Sequence, residues 1–283
     1  MVNKKYSFAG LSFRVDSEVS IQDGEFYPPF YSDSEAADYY VKIKSGALPK
    51  ADGTAVYDKK TAALYQSVGK TQLFSAYPSP NDGYIRYSCL ERENDSRNLD
   101  LTVEPFHELR DSTLFKSLNV SSLLLQNGVI LFHSSFVITE DGEAIIFTGK
   151  SGIGKTTQAL LWQKYRNALI VNGDRAALKI KDGVLTACGV PFCGSSDIAL
   201  NREARVKAVV SLSQSRENKC RRLSAIESFS VFLSGTSYEP RNPLENRLAV
   251  DISEKAAACG VSFALSCRPD EGAVCELEKI IEG

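Results

Sequence analysis

The stretch Gly149-Lys150-Ser151-Gly152-Ile153-Gly154-Lys155-Thr156-Thr157 carries the most specific chemistry in the chain. A glycine, four residues and then Gly-Lys-Thr is the spacing of a phosphate-gripping loop. Its glycines let backbone N–H groups turn towards phosphate oxygens without side-chain obstruction. Lys155 is expected to reach the β- and γ-phosphates of a nucleoside triphosphate, and the Thr156 hydroxyl to ligate Mg²⁺. The spacing therefore points to ATP with Mg²⁺ as the cofactors. A helix beginning at Lys155 would add its positive N-terminal end to the same site.

Asp174 is the next candidate. It follows an apolar strand, Ala168–Val171, which one helix separates from the strand leading into the loop. In an α/β unit of that kind both strand ends reach the same edge, where ligands bind. A carboxylate there could hold Mg²⁺ or take the proton of an attacking hydroxyl. The competing reading of Asn172-Gly173-Asp174 is a plain hairpin turn, since Asn-Gly is a strong turn signal. A turn could itself present the carboxylate. His133, in Leu131-Phe-His-Ser-Ser135, is expected at a strand end; lone histidines in apolar runs more often pack in the core. Arg175 could neutralise a transferring phosphate or form an exposed salt bridge. Arg216, Arg221 and Arg222 read as a solvated polar loop or as a basic patch reaching the site.

The elements that must position these residues follow from hydrophobic periodicity. Tyr6–Val15, Tyr40–Ile43 and Tyr84–Cys89 alternate between polar turns, which marks residues 1–108 as β-rich. From Ser112 the spacing turns helical through Leu114, Phe115, Leu118 and Leu123–Leu125. This sets a second domain at 109–283, the boundary falling near Pro105–Asp111. Within it, strands are expected at Val129–Phe132, Phe136–Thr139, Ala144–Thr148, Ala168–Val171, Arg175–Ile180, Val184–Cys188, Val206–Leu212 and Val261–Ser266. Helices are expected at Lys155–Arg166, Ala225–Ser234, Pro243–Ala258 and Glu271–Ile281. The helix after the loop would bury Ala159, Leu160, Trp162 and Tyr165.

The whole chain is consistent with a nucleotide-binding protein in the cytoplasm. A net charge of −2 gives no electrostatic reason to expect nucleic acid or an anionic membrane as partner. The start, MVNKKYSFAGLSF, lacks the apolar core of a secretion signal, and no apolar run reaches the ~20 residues needed to span a bilayer. The seven cysteines include no C-x-x-C pair, so they are expected as reduced, packed side chains without a structural metal.

Phe132-His-Ser-Ser135, Gly149–Thr157 and Asn172-Gly-Asp174, in this order, resemble the HPr kinase/phosphorylase-like family. The stretch from Val129 to Lys179 is similar throughout. Thr156-Thr-Gln-Ala-Leu-Leu-Trp162, Gly189-Val-Pro-Phe-Cys-Gly194 and Val209-Val-Ser-Leu-Ser-Gln214 look like its divergent bacterial branch. The resemblance implies an α/β fold of the P-loop, phosphoenolpyruvate-carboxykinase-like kind: a mixed sheet with helices, here preceded by the β-rich N-terminal region. It also implies a Mg-dependent serine kinase acting on a peptide or protein. Asp174, His133 and Lys155 would be its catalytic residues and Thr156 and Asp174 its metal ligands. Two departures stand out. The first residue of the family's acidic pair is Gly173 here, and the E-x-R-G-x-G segment of true HPr kinases is missing, so HPr is not the expected acceptor. The lost carboxylate keeps a second reading open, a catalytically silent nucleotide-binding sensor or scaffold. A small-molecule kinase is a third reading, and homo-oligomerisation is left open.

Overall fold

The computed structural model describes residues 2–79, 83–94, 96–105, 107–194 and 196–282. The chain divides into two compact units, Met1–Leu123 with Glu239–Pro243, and Leu124–Tyr238 with Leu244–Gly283.

The first unit is β-rich. Its strands are β1 (Val2–Phe8), β2 (Leu11–Ser17), β3 (Ile21–Gln22), β4 (Tyr39–Ser45), β5 (Thr54–Asp58), β6 (Ala62–Ser67), β7 (Lys70–Ser79), β8 (Gly83–Glu93), β9 (Asn98–Val103) and β10 (Leu109–Arg110). Eight of them form one sheet in the order β1-β2-β4-β9-β8-β7-β6-β5. The stretch Tyr6–Val15, expected as one extended segment, is a hairpin. Ala9 and Gly10 take φ of 55° and 81°, the positive pair that a tight two-residue turn needs. Helix α1 (Asp111–Ser117) belongs to this unit: the Phe115 ring packs edge-on against Tyr6, Phe8 and Phe13. At its start Asp111 is fully buried and accepts hydrogen bonds from Tyr6 (2.6 Å), Tyr31 (2.8 Å), the Gly24 N–H (3.0 Å) and Lys4 (3.0 Å). The division expected at 108/109 thus precedes the observed one, because the first helical stretch completes the core of the strands before it. Helix α2 (Val120–Gln126) carries the chain into the second unit.

The second unit is mixed α/β. Its strands are β11 (Val129–Ile138), β12 (Ala144–Thr148), β13 (Leu169–Asn172), β14 (Arg175–Lys181), β15 (Val184–Cys188), β16 (Glu203–Gln214), β17 (Lys219–Arg222) and β18 (Ser262–Cys267). Its helices are α3 (Lys155–Arg166), α4 (Ala225–Gly235), α5 (Pro243–Ala258) and α6 (Glu271–Ile281). β11 is the organising strand. Its first half runs antiparallel to β14, and its second half lies between β12 and β13, antiparallel to both. β12 continues in parallel to β16, and β16 to β18.

Two expectations are corrected here. The apolar runs Val129–Phe132 and Phe136–Thr139 belong to one strand, and the polar His133-Ser134-Ser135 lies in its middle, not at a strand end. Asn172-Gly173-Asp174 is not a hairpin either. β13 and β14 both pair with β11, at Phe136↔Asn172 and His133↔Arg175, so the chain continues along β11 after a two-residue break.

β12 is buried on both faces, as a central strand in a parallel arrangement must be. Alternation sends Ile145 and Phe147 to the layer of α3 and α6, with Trp162, Val210, Leu265 and Leu277. Ala144 and Ile146 face the other layer, with Phe136, Val209, Phe232 of α4 and Ile252 of α5. Helix α3 buries Lys155, Gln158, Ala159 and Trp162, a spacing of three and four residues along one face. Leu160, expected on that face, is 51% exposed. No described helix is long and apolar enough to cross a membrane.

Candidate functional site

Strand register alone gathers the candidate residues. Ser134 of β11 pairs with Thr148, the last residue of β12, from which the glycine loop departs. One residue back, His133 pairs with Arg175, the first residue of β14. The loop, His133 and Asp174 therefore meet beside the middle of β11. Side chains fasten the junction: Thr148 Oγ1 donates to the His133 carbonyl (3.0 Å), and Ser135 Oγ donates to the Lys155 carbonyl at the start of α3 (2.8 Å).

The loop needs its glycines for backbone reasons. Gly149, Gly152 and Gly154 have φ of 141°, 75° and 114°, a region that side chains make costly. A Cβ on Gly149 would also come within 3.2 Å of Ile153, whereas Gly152 has nothing within 4 Å. Lys150, Ser151, Thr156 and Thr157 are exposed, Ile153 is half-buried, and Lys155 is 8% exposed. The Lys155 ammonium donates to the carbonyls of Gly149 (3.2 Å) and Lys150 (3.4 Å), lying over the loop. Burial holds its pKa below the usual lysine value, and the charge of Asp174 works in the opposite direction. Around it, the first N–H groups of α3 have no partner within the helix. Backbone dipoles and one desolvated cation are the groups that an anion site requires.

On the opposite side Asn172 does most of the shaping. It is fully buried; its Oδ1 accepts from the N–H of Asp174 and of Arg175 (both 2.9 Å), and its Nδ2 donates to the carbonyls of Val190 (3.0 Å) and Phe192 (3.1 Å). It ties the break between β13 and β14 to the segment after β15. Gly173 is held by the same segment. Its N–H donates to Ser196 Oγ (3.2 Å), and that hydroxyl donates to the Cys193 carbonyl (2.6 Å). A Cβ at residue 173 would lie 2.3 Å from Ser196 Cβ, so Gly173 is required by close approach; its φ is not positive. Gly194 (φ 57°) lies against the Asp174 carboxylate, where a Cβ would come within 2.7 Å of Cγ.

Asp174 is met by two side chains. His133 Nδ1 is 3.4 Å from Oδ1, and Arg175 Nε is 3.2 Å from Oδ2. Arg175 also donates to Ser237 Oγ (2.9 Å), just past the end of α4. Burial lowers the His133 pKa, and the nearby charges of Lys155 and Arg175 lower it further against the pull of Asp174. The neutral imidazole is therefore favoured over the imidazolium, which weakens any ion pair with Asp174. Thr156 Oγ1 lies 3.5 Å from the Gly173 carbonyl, which puts the hydroxyl beside the same break.

Lys155, Thr156, His133 and Asp174 are thus brought together. Arg221 is engaged instead by Glu227 (2.6 and 3.0 Å), and Arg222 lies over the Phe263 ring (5.6 Å). Asn172, Gly194, Ser196 and Ser237 position the site without belonging to its glycine-loop motif. Only Asn172 left a signal, its Asn-Gly pair, and that signal pointed to the wrong structure.

A hydroxyl and one carboxylate are hard oxygen donors that suit Mg²⁺. Among the described residues no group of three or more His, Cys, Asp or Glu side chains could hold a metal ion by itself. Such a site fits a cation that keeps waters and shares phosphate oxygens, as Mg²⁺ does, better than a cage made by protein alone.

No known family profile matches the chain, and no curated protein is significantly similar to it. Among solved structures it is similar to the Hpr(Ser) kinase/phosphatase from Coxiella burnetii, at 14% identity over 54% of this chain and 99% of the other, with a TM-score of 0.31. A TM-score of 0.31 reflects only a distant likeness, and the reading of the site rests on its own geometry.

Proposed function

We propose that the chain binds ATP with Mg²⁺ and transfers the γ-phosphoryl group to a serine hydroxyl of a peptide or protein. The observation that carries this reading is the convergence, set by the register of β11, of Asp174 and His133 on the glycine loop that holds Lys155. Lys155 and N–H groups of the loop grip the β- and γ-phosphates, and Thr156 and Asp174 would hold Mg²⁺. When bound, the cation neutralises phosphate charge. The acceptor oxygen attacks the γ-phosphorus, the bond to the bridging oxygen breaks, and ADP leaves with the electron pair. Asp174 or neutral His133 accepts the hydroxyl proton. The serine acceptor is supported by the resemblance of Phe132–Ser135, Gly149–Thr157 and Asn172–Asp174 to serine kinases.

One observation favours a second reading, a sensor that binds nucleotide without turnover. Ser196 occupies the space a side chain at residue 173 would need, which leaves one carboxylate at the break, with a partner at each oxygen. Incubation with γ-labelled ATP, Mg²⁺ and serine peptides encoded near the gene separates the two. Label on a peptide establishes the kinase. Tight binding without transfer establishes the sensor, and no binding refutes both.

A further inference from the structure

The charges at the break do not favour a cation arriving alone. Asp174 supplies the carboxylate at the break, and Arg175 Nε faces its Oδ2 at 3.2 Å. Lys155 is close enough for the two charges to act on each other. Two basic side chains, Lys155 and Arg175, bear on the Asp174 carboxylate, an arrangement that favours an arriving anion over a lone cation. Among the described residues no group of three or more His, Cys, Asp or Glu side chains stands ready to hold a metal ion by itself. Arg175 is also not free to drift. Its Nη1 is held by Ser237 Oγ at 2.9 Å, and the Ser237 N–H donates to the Leu131 carbonyl of β11 at 2.8 Å. The neighbouring Thr236 bridges to Phe132 of the same strand. A guanidinium on a fixed post spans from that post to the carboxylate.

We propose that Arg175, posted by Ser237, is the counter-charge of Asp174 in the nucleotide-free protein, and that the divalent cation is admitted only together with the nucleotide phosphates, which draw the guanidinium off the carboxylate. The inference rests on the nucleotide-binding reading above and adds an order of events to it. In the empty site Arg175 neutralises Asp174, so free Mg²⁺ would have to displace a guanidinium held at both ends. Triphosphate brings several negative charges, which Lys155 and Arg175 can share, and Asp174 is then left without its partner. Arg175 is a positioning residue here: it acts through Asp174 and through the phosphates rather than on the acceptor.

Calorimetry on the full chain tests this by separating metal from nucleotide. Wild-type protein should show no heat of binding with MgCl₂ alone. It should bind ATP in the presence of EDTA, and bind it more tightly with Mg²⁺. Arg175→Gln should weaken metal-free ATP binding by about tenfold, the scale of a lost charge-assisted hydrogen bond. The same variant should increase the tightening produced by Mg²⁺ by about tenfold, because nothing then competes for Asp174. Ser237→Ala should shift both quantities in the same direction by less. Circular dichroism confirms the fold of each variant. Mg²⁺ binding to wild-type protein without nucleotide, or an Mg²⁺ effect unchanged by Arg175→Gln, overturns the proposal while leaving nucleotide binding intact. Failure of wild-type protein to bind ATP under any condition refutes the underlying reading instead.

Discussion

At residue 173 one missing β-carbon decides more than backbone freedom does. The Asn-Gly pair suggests a turn with positive φ, yet Gly173 avoids that region and is required because Ser196 stands 2.3 Å from where its Cβ would be. Gly173→Asp should therefore not restore the carboxylate of an acidic pair. Overpacking should lower stability by about 1–3 kcal/mol, readable as a lower thermal midpoint with no gain in phosphoryl transfer. Adding Ser196→Gly should recover much of the midpoint, and if it does not, the close approach is not the cause. Lys155→Ala tests the loop itself. Each charge-assisted hydrogen bond to phosphate is worth ~1.5–3 kcal/mol, so ATP affinity should fall at least tenfold in calorimetry, with the fold intact by circular dichroism. Lys155 and Thr156 were legible because their chemistry is local: fixed spacing after glycines and before a helix. Asp174 was legible by its place after a strand. Asn172, Gly194 and Ser196 were not, because they act across 18 to 23 residues through carbonyls and close contacts that leave no pattern in the sequence.

Elements with two strong borders are legible to the residue: β12 between Glu143 and the loop, α3 from Lys155 to Arg166, and α5 and α6 by helical spacing. β11 reads as two strands because His133-Ser134-Ser135 interrupts its apolar run. That polar step is where β11 changes partners from β14 to β12, and its serines are fully buried, with Ser135 bonded to α3. β17 leaves no strand signal, because Lys219-Cys-Arg-Arg222 is polar and pairs with β18 at the edge of the sheet. The mirror case is Leu160, apolar by type and exposed in fact. Trp162 tests how α3 is held. It is 3% exposed among Phe147, Ala159 and Leu277, but its indole N–H has no partner. Trp162→Ala should cost about 3–5 kcal/mol in denaturant unfolding, the scale of a large aromatic truncated in a core. Trp162→Phe should cost far less, since it keeps most of the ring and removes an unsatisfied donor. Equal losses for the two variants would mean that the packing of α3 does not depend on ring volume.

Across the whole chain the sequence showed a β-rich start and an α/β remainder, while the sheet of the first unit stayed hidden. Its parallel pairs, β2 with β4 and β4 with β9, join segments far apart in sequence, and alternation says nothing about such partners. Each unit holds one histidine whose pKa is lowered mainly by burial, His107 beside Tyr87 and His133 at the loop. Both are favoured neutral in the folded state. As pH falls below about 6.5 the unfolded chain takes up protons there before the folded chain does, so stability should drop with acidification and stay flat from this source above pH 7. A thermal midpoint lower at pH 5.5 than at 7.5, with the gap narrowed by His107→Phe, is the expected result; an unchanged gap would clear His107. The division between the units makes the last prediction. A fragment starting at residue 106 keeps the loop, β11 and Asp174, but it also keeps α1, whose Leu114, Phe115 and Leu118 are completely buried in the full chain. In that fragment Phe115 loses the rings of Tyr6, Phe8 and Phe13, and three large apolar side chains face water at a cost of about 1.5–3 kcal/mol each. A fragment starting at Leu124 leaves that surface behind and retains every residue assigned to the phosphates. It should be the more soluble of the two and should bind ATP in calorimetry. If the fragment from residue 106 is equally soluble, α1 is not bound to the first unit by its apolar face. If the fragment from Leu124 folds yet fails to bind, the first unit contributes to the nucleotide site.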